Sequence, residues 1–199
     1  MKISIDLINY LTDKNTWNDF LSEYNDIHDK NPAYANTFAG MLEISRGLNI
    51  KNKPYLIIGG LSVASYIHQL DSNAFKDWRG TSDIDLLLPN KKDAESVLYS
   101  AGYEFKQTQN TKEGMVGRLY DYVKEDNGEI TVVGLREGIC DKRKKDITQK
   151  LVNQRAIIPV YGVRVAVPKL KDLINMKRFA NRAKDRGDIK TLKVLYSNI

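Results

Sequence analysis

Apolar residues recur at helical spacing through the first fifty positions: Ile5, Ile8 and Leu11, then Trp17, Phe20, Leu21 and Tyr24. Residues three and four apart share one face of a helix, so this spacing predicts amphipathic helices. Asn31-Pro32 interrupts the pattern, and Phe38, Met41, Leu42 and Ile44 resume it as far as Gly47. A proline cannot continue a helix from within, because it has no N–H and its ring clashes with the preceding turn. Residues 1–50 are therefore expected to form a helical N-terminal extension packed on a core built from residues 51–199.

The pattern then changes to short apolar runs. Pro54 to Ile58 predicts a buried strand that ends at Gly59-Gly60, and Leu61 to Leu70 a helix. Asp83 to Leu88 predicts a second strand closed by Pro89-Asn90, and Lys91 to Ala101 a helix with Ala94, Val97 and Leu98 inward. Tyr103 to Gln107 reads as a strand. Leu119 to Val123 and Ile130 to Leu135 alternate about Glu125-Asp126-Asn127-Gly128, whose Asn-Gly pair is a strong hairpin signal. A second hairpin is expected at 156–160 and 163–167, about Tyr161-Gly162. Pro168 opens a helix carrying Leu170, Leu173, Ile174 and Lys177 on one face, and a last helix runs from about Arg186 to Tyr196. The expected fold class is α+β: a small mixed sheet, helices packed on it, and helical termini.

Composition narrows the function classes. Cys140 is the only cysteine, so an intrachain disulfide is excluded; with just His28 and His68 beside it, a zinc site of usual spacing is not expected. No stretch has the apolar length of a membrane span, and the N-terminus carries charge where a signal peptide would be apolar. A cytoplasmic location with no membrane partner is expected. The net charge of +6 favours anionic partners such as nucleotides or RNA. Lys142-Arg143-Lys144-Lys145 reads as a solvated loop able to steer nucleic-acid phosphates, although no aromatic residues are interleaved with it.

The residues with the clearest chemistry are Asp83 and Asp85. Side chains two apart in a strand share a face, with Cα atoms about 6–7 Å apart. Two carboxylates so placed can share cations about 3.5–4 Å apart, the arrangement of two-metal phosphoryl displacement. Mg²⁺ or Mn²⁺ suits such oxygen ligands, with substrate phosphates completing the shell. Upstream, Gly59-Gly60-Leu61-Ser62 lies between an apolar strand and a helix, where backbone N–H groups and the helix dipole meet an anion. Glycine lets a phosphate approach the main chain, and the Ser62 hydroxyl can add a hydrogen bond.

Gly59-Gly60, the helix after it and Arg79-x-Thr81-x-Asp83-x-Asp85 together resemble the signature of polymerase-β-type nucleotidyltransferases. More narrowly they are similar to the branch of AbiE-type (AbiEii-like) toxins and related toxin-antitoxin enzymes. A second stretch, Pro168 to Lys177 followed by Arg182-Ala183-Lys184-Asp185-Arg186-Gly187-Asp188, resembles that branch's C-terminal pattern. The resemblance covers about Leu56 to Leu195. It implies an NTP substrate held by Gly59, Gly60, Ser62, Arg79, Thr81, Arg182, Lys184 and Asp188, with metal on Asp83 and Asp85. It also implies that Lys177 contacts phosphate or assists chemistry, with Asp188 positioning it. The polymerase-β-like sheet would then be flanked by helices and a C-terminal helix pair.

The family usually carries a third carboxylate on a later strand. Alignment of apolar positions puts it at Thr131, which cannot serve as a base; Glu129 one pleat earlier, or Asp121 on the partner strand, could substitute. The expected activity is transfer of a nucleoside monophosphate from an NTP to a hydroxyl on RNA (tRNA), protein or a small molecule, as a toxin-antitoxin or phage-defence component. The alternative is a catalytically degenerate NTP-binding module of the same fold.

Overall fold

The computed structural model describes residues 14–109, 115–126 and 128–197. Ile5, Ile8, Leu11 and Asn127 lie outside the described residues. Two helices open the described chain, α1 (Lys14–Lys30) and α2 (Pro32–Ile50). Asn31 separates them as the cap of α2: its side chain accepts a hydrogen bond from the Tyr34 amide at 3.1 Å, and Pro32 follows where no N–H is required. Strand β1 (Leu56–Ile58) runs straight into α3 (Gly59–Leu70), two residues earlier than the apolar pattern predicts. A short α4 (Ser72–Asp77), absent from the pattern, is capped by Asp71, which accepts from the Asn73 and Ala74 amides.

Next come β2 (Asp83–Leu87), α5 (Lys91–Ser100), β3 (Glu104–Gln109), β4 (Met115–Asp126) and β5 (Glu129–Ile139). After the short α6 (Thr148–Asn153), β6 (Ala156–Val160) and β7 (Val163–Val167) form a hairpin, and α7 (Leu170–Ala180) and α8 (Ala183–Tyr196) end the described chain. Tyr161 and Gly162 both have positive φ, the geometry of a tight hairpin turn. Pro168 precedes α7 by two residues instead of opening it. Helix α8 starts three residues before Arg186, because Arg182 and Asp185 form a reciprocal cap around its first turn.

The main sheet has strand order β1-β2-β5-β4-β3, and β6-β7 form a second, two-stranded sheet. Only β2 and β5 pair in parallel; the other neighbours are antiparallel. The architecture is thus α+β with a five-stranded mixed sheet flanked by helices. One face of it carries Ile84, Leu86, Val133, Leu135 and Tyr122, all fully buried, beneath α2 and α5. The other face of β2 carries Asp83 and Asp85, both partly exposed. Helix α2 is buried around most of its circumference, with Phe38, Met41, Leu42 and Ile44 in the core, and the hairpin β6-β7 packs against it and β1.

Removal of a large buried side chain leaves a cavity, so Phe38→Ala is expected to cost about 3–5 kcal/mol in urea unfolding. Val194→Ala, at a position 57% exposed, should stay within about 0.5 kcal/mol.

Candidate active site

Strand β2 pairs with β1 so that Asp85 lies opposite Ile58, the residue before Gly59. Gly59 has φ +69, and a Cβ there would collide with the Asp85 carboxylate. A side chain is therefore excluded at Gly59 by both backbone conformation and space. Gly60 faces Thr81, whose side chain would lie 2.8 Å from an added Cβ. The Thr81 hydroxyl in turn donates to the Asp83 carboxylate at 2.6 Å. The glycine turn and the aspartate strand thus meet through two contacts, Gly59 with Asp85 and Gly60 with Thr81. Helix α3 begins at this point without a side-chain cap, which leaves its first amides for an anion. Ser62 is fully buried and donates to the Gly59 carbonyl at 2.9 Å, so it braces the turn from beneath and presents no hydroxyl to a ligand.

The register corrects the expected place of a third carboxylate. Parallel pairing sets Asp83 opposite Val132 and Asp85 opposite Gly134. Thr131 is one residue out of phase and faces the helix-covered side, in a small pocket with Asn36, Gly40 and Tyr103. Glu129 is on that side too, accepts a hydrogen bond from Asn36 and lies 3.7 Å from His28. Neither Thr131 nor Glu129 shares a face with the aspartates, because a shift of one residue moves a side chain through the sheet. Asp121 does: it pairs with Gly134 from the far side and accepts hydrogen bonds from Gln107, at 2.7 Å, and from Gln109.

Arg136, not singled out by the sequence, is on the same face of β5 two residues after Gly134. Its Nη2 lies 2.6 Å and its Nε 3.2 Å from Asp85 Oδ1. The signal for it was strand parity with Gly134, visible only once β2 and β5 are known to be neighbours.

The C-terminal helices close the site through buried charges. Lys177, 4% exposed, lies 2.8 Å from Asp188 and 3.3 Å from Asp185. Arg79 grips both oxygens of Asp188, at 3.0 and 2.8 Å, and stacks on Trp78. Arg182 donates to Asp185 at 2.7 Å while more than half of its side chain stays exposed. The hydrogen bond to Asp185 raises the guanidinium pKa against the effect of burial, and the nearby charges of Asp85 and Asp83 raise it further. Burial opposes charge on Asp185, but the hydrogen bonds from Arg182 and the Lys177 charge prevail and hold its carboxyl below the usual range. Lys184 is exposed on the first turn of α8 and does not line the cleft. That cleft, of about 900 Å³, has Gly59, Asp85, Arg136, Lys177 and Arg182 among its lining residues.

Several solved structures share the fold of the chain. No protein-family model and no curated protein matches it by sequence. Its fold is similar to the antibiotic-resistance factor ANT(2'')-Ia in solution (TM-score 0.54, 13% identity, 81% of this chain and 84% of that one). The same protein in a crystal with adenylyl-2''-tobramycin gives TM-score 0.52 at 13% identity, over 80% of this chain and 88% of that one. The Megavirus polyadenylate synthase aligns over 97% of this chain but 38% of its own length (TM-score 0.53, 14% identity). The chain shares its fold with these proteins. In this fold the glycine turn follows the edge strand β1 and lies beside the aspartate strand β2, and Lys177, Arg182 and Asp185 of the ion network line the same cleft. Among the described residues no helix is long and apolar enough to cross a membrane.

Asp188→Asn leaves Lys177 and Arg79 without their shared carboxylate, and an expected loss of about 3–5 kcal/mol follows from stranding buried charge. Asp185 ionises more readily in the folded than in the unfolded chain. Its stabilisation is therefore complete above the ordinary carboxylate range and is lost as pH falls through the depressed folded value. The Tm should drop on acidification below about pH 4, and the drop should be shallower in Asp185→Asn; an identical slope would remove Asp185 from the acid response.

Proposed function

We propose that the protein transfers a nucleoside monophosphate from an NTP to a hydroxyl acceptor. The observation that supports this most directly is the packing of the Asp85 carboxylate against Gly59, where the uncapped first turn of α3 opens toward the cleft. The first amides of α3 would bind the β- and γ-phosphates, and Arg182 would offset charge on the departing pyrophosphate. The acceptor oxygen bonds to the α-phosphorus, the α–β anhydride breaks, pyrophosphate leaves with the bonding electrons, and the hydroxyl proton passes to water. Lys177, held by Asp185 and Asp188, positions α7 and α8 around the site.

A divalent ion suits the donors present. Asp83 and Asp85 share a face and Asp85 lines the open cleft, but among the described residues no group of three metal-ligating side chains occurs. Two carboxylates fit Mg²⁺ or Mn²⁺ that keeps waters and is shared with substrate phosphates, as is usual for nucleotide-borne magnesium. The ion would supply charge neutralisation at the phosphates. Arg136 on Asp85 makes the free protein a poor metal binder, so the ion and nucleotide are read as arriving together.

The acceptor is read as different from that of ANT(2'')-Ia. Tobramycin is an amine-rich sugar that is polycationic at neutral pH, and the cleft here is lined by seven basic and four acidic side chains. The motif pair similar to AbiE-type toxins favours a toxin-antitoxin or phage-defence component. A second reading, a nucleotide-binding module without turnover, is favoured by Val132 and Gly134 standing where carboxylates would face the aspartates.

Incubation with each α-labelled NTP, Mg²⁺ or Mn²⁺ and cell lysate is expected to label an acceptor, with Asp83→Asn reducing transfer at least about 100-fold. Unchanged transfer in Asp83→Asn would sink the assignment. Calorimetric NTP binding with no pyrophosphate release under any acceptor would select the second reading. In Arg136→Gln, nucleotide-free Mn²⁺ binding followed by paramagnetic resonance should tighten about tenfold, the equivalent of one charge-assisted hydrogen bond removed from Asp85.

A further inference from the structure

After β5 the chain makes a compact turn. Asp141 Oδ1 accepts from the Arg143 and Lys145 amides at 2.8 and 3.0 Å, and an isolated bridge joins Cys140 to Asp146. The two carboxylates flanking the basic run both accept from backbone amides, Asp141 within the turn and Asp146 from Thr148 at 2.8 Å, and Lys142 and Arg143 project exposed into the cleft wall. Lys150 adds to the same wall from α6. Arg178 and Phe179, from the last turn of α7, line the cleft too, with Phe179 38% exposed.

The charge balance of the cleft is uneven. Near the glycine turn, Arg136 is paired with Asp85, and Lys177 and Arg182 with Asp185. At the rim, Lys142, Arg143, Lys150 and Arg178 have no carboxylate within ion-pair distance among the described residues. These cations come from three separate elements around a 900 Å³ opening. Unpaired cations around an exposed aromatic ring are the elements of a single-strand nucleic-acid groove: the cations follow the phosphates and the ring stacks a base.

We propose that the cleft rim is a single-stranded polynucleotide site, in which Lys142, Arg143, Lys150 and Arg178 hold the backbone and Phe179 stacks a base. Its terminal hydroxyl would be delivered toward Asp83 and Asp85. The nature of the reacting end rests on the transferase reading; the binding of the strand does not.

Fluorescence anisotropy of the whole protein with a labelled single-stranded oligoribonucleotide, its DNA counterpart and a DNA duplex of equal length tests this. Wild type should bind both single strands more tightly than the duplex. A preference for RNA over DNA would place the ribose in the contact, and equal binding would leave backbone and stacking as the whole of it; both support the site. The double variant K142A/R143A should make the dependence of log affinity on log salt shallower by about 0.7 for each cation removed. Phe179→Ala should weaken binding roughly 5- to 100-fold with the salt slope unchanged. Both substitutions are at exposed positions, and retention of the wild-type Tm would show the fold intact. The proposal is overturned by absence of binding at low salt, by equal affinity for the duplex, or by Phe179→Ala behaving as wild type. Asp83→Asn should keep oligonucleotide affinity. Strand binding without label transfer in wild type would sink the transferase reading alone, whereas transfer to an acceptor with no strand binding would sink this one.

Discussion

The closeness of the Asp85 carboxylate to Gly59, where any Cβ would collide with it, is the constraint from which the site follows. Antiparallel pairing of β1 and β2 sets Ile58 opposite Asp85, so the chain must turn into α3 directly beside a carboxylate. Only a residue without a side chain, in a left-handed conformation, fits there. The same turn orients the uncapped amides of α3 toward the carboxylate edge. Helix N-terminal amides and acidic side chains are thereby brought side by side, the combination that the proposed triphosphate with its divalent ion would use.

A second layer of constraint comes from buried charge. Asp185 and Asp188 are buried and stand one helical turn apart on α8, between Lys177 of α7 and the guanidinium groups of Arg79 and Arg182. Isolated in the interior, any of these charges would be costly; as a network they satisfy one another. Arg79 belongs to the loop that leads into the aspartate strand, so the network ties the C-terminal helices to that loop. The residues that the family resemblance assigns to phosphate binding are thus largely engaged with one another, and the cations left open to a ligand are at the rim.

The strand register explains why β5, the parallel neighbour of the aspartate strand, adds no acid beside the aspartate pair. Alternation along β5 puts Val132, Gly134 and Arg136 on the ligand side and Thr131, Val133 and Leu135 against α2 and α5. At Gly134, in register between Asp85 and Asp121, an added Cβ would only touch Leu119 and Asp85 at ordinary contact distance, and Arg136 supplies a cation to Asp85. An aspartate pair balanced by an arginine is electrostatically milder than three carboxylates together, and would suit the proposed phosphate-partnered ion.

Local chemistry was legible in the sequence wherever neighbouring residues decide it. The break at Asn31-Pro32, the strand exit at Gly59-Gly60, the shared face of Asp83 and Asp85 and the Tyr161-Gly162 turn all depend on residues a few positions apart. So did the α+β class, which the change from helical to alternating periodicity announces. Short pieces such as α4 and α6 escaped because one turn has too few apolar positions to show a period. The pairing of β2 with β5, and hence the face of Thr131, the partner of Arg136 and the convergence of Lys142 with Phe179, was decided by tertiary structure alone. Pairing register joins residues about fifty positions apart, and a displacement of one residue reverses which side of the sheet a group occupies.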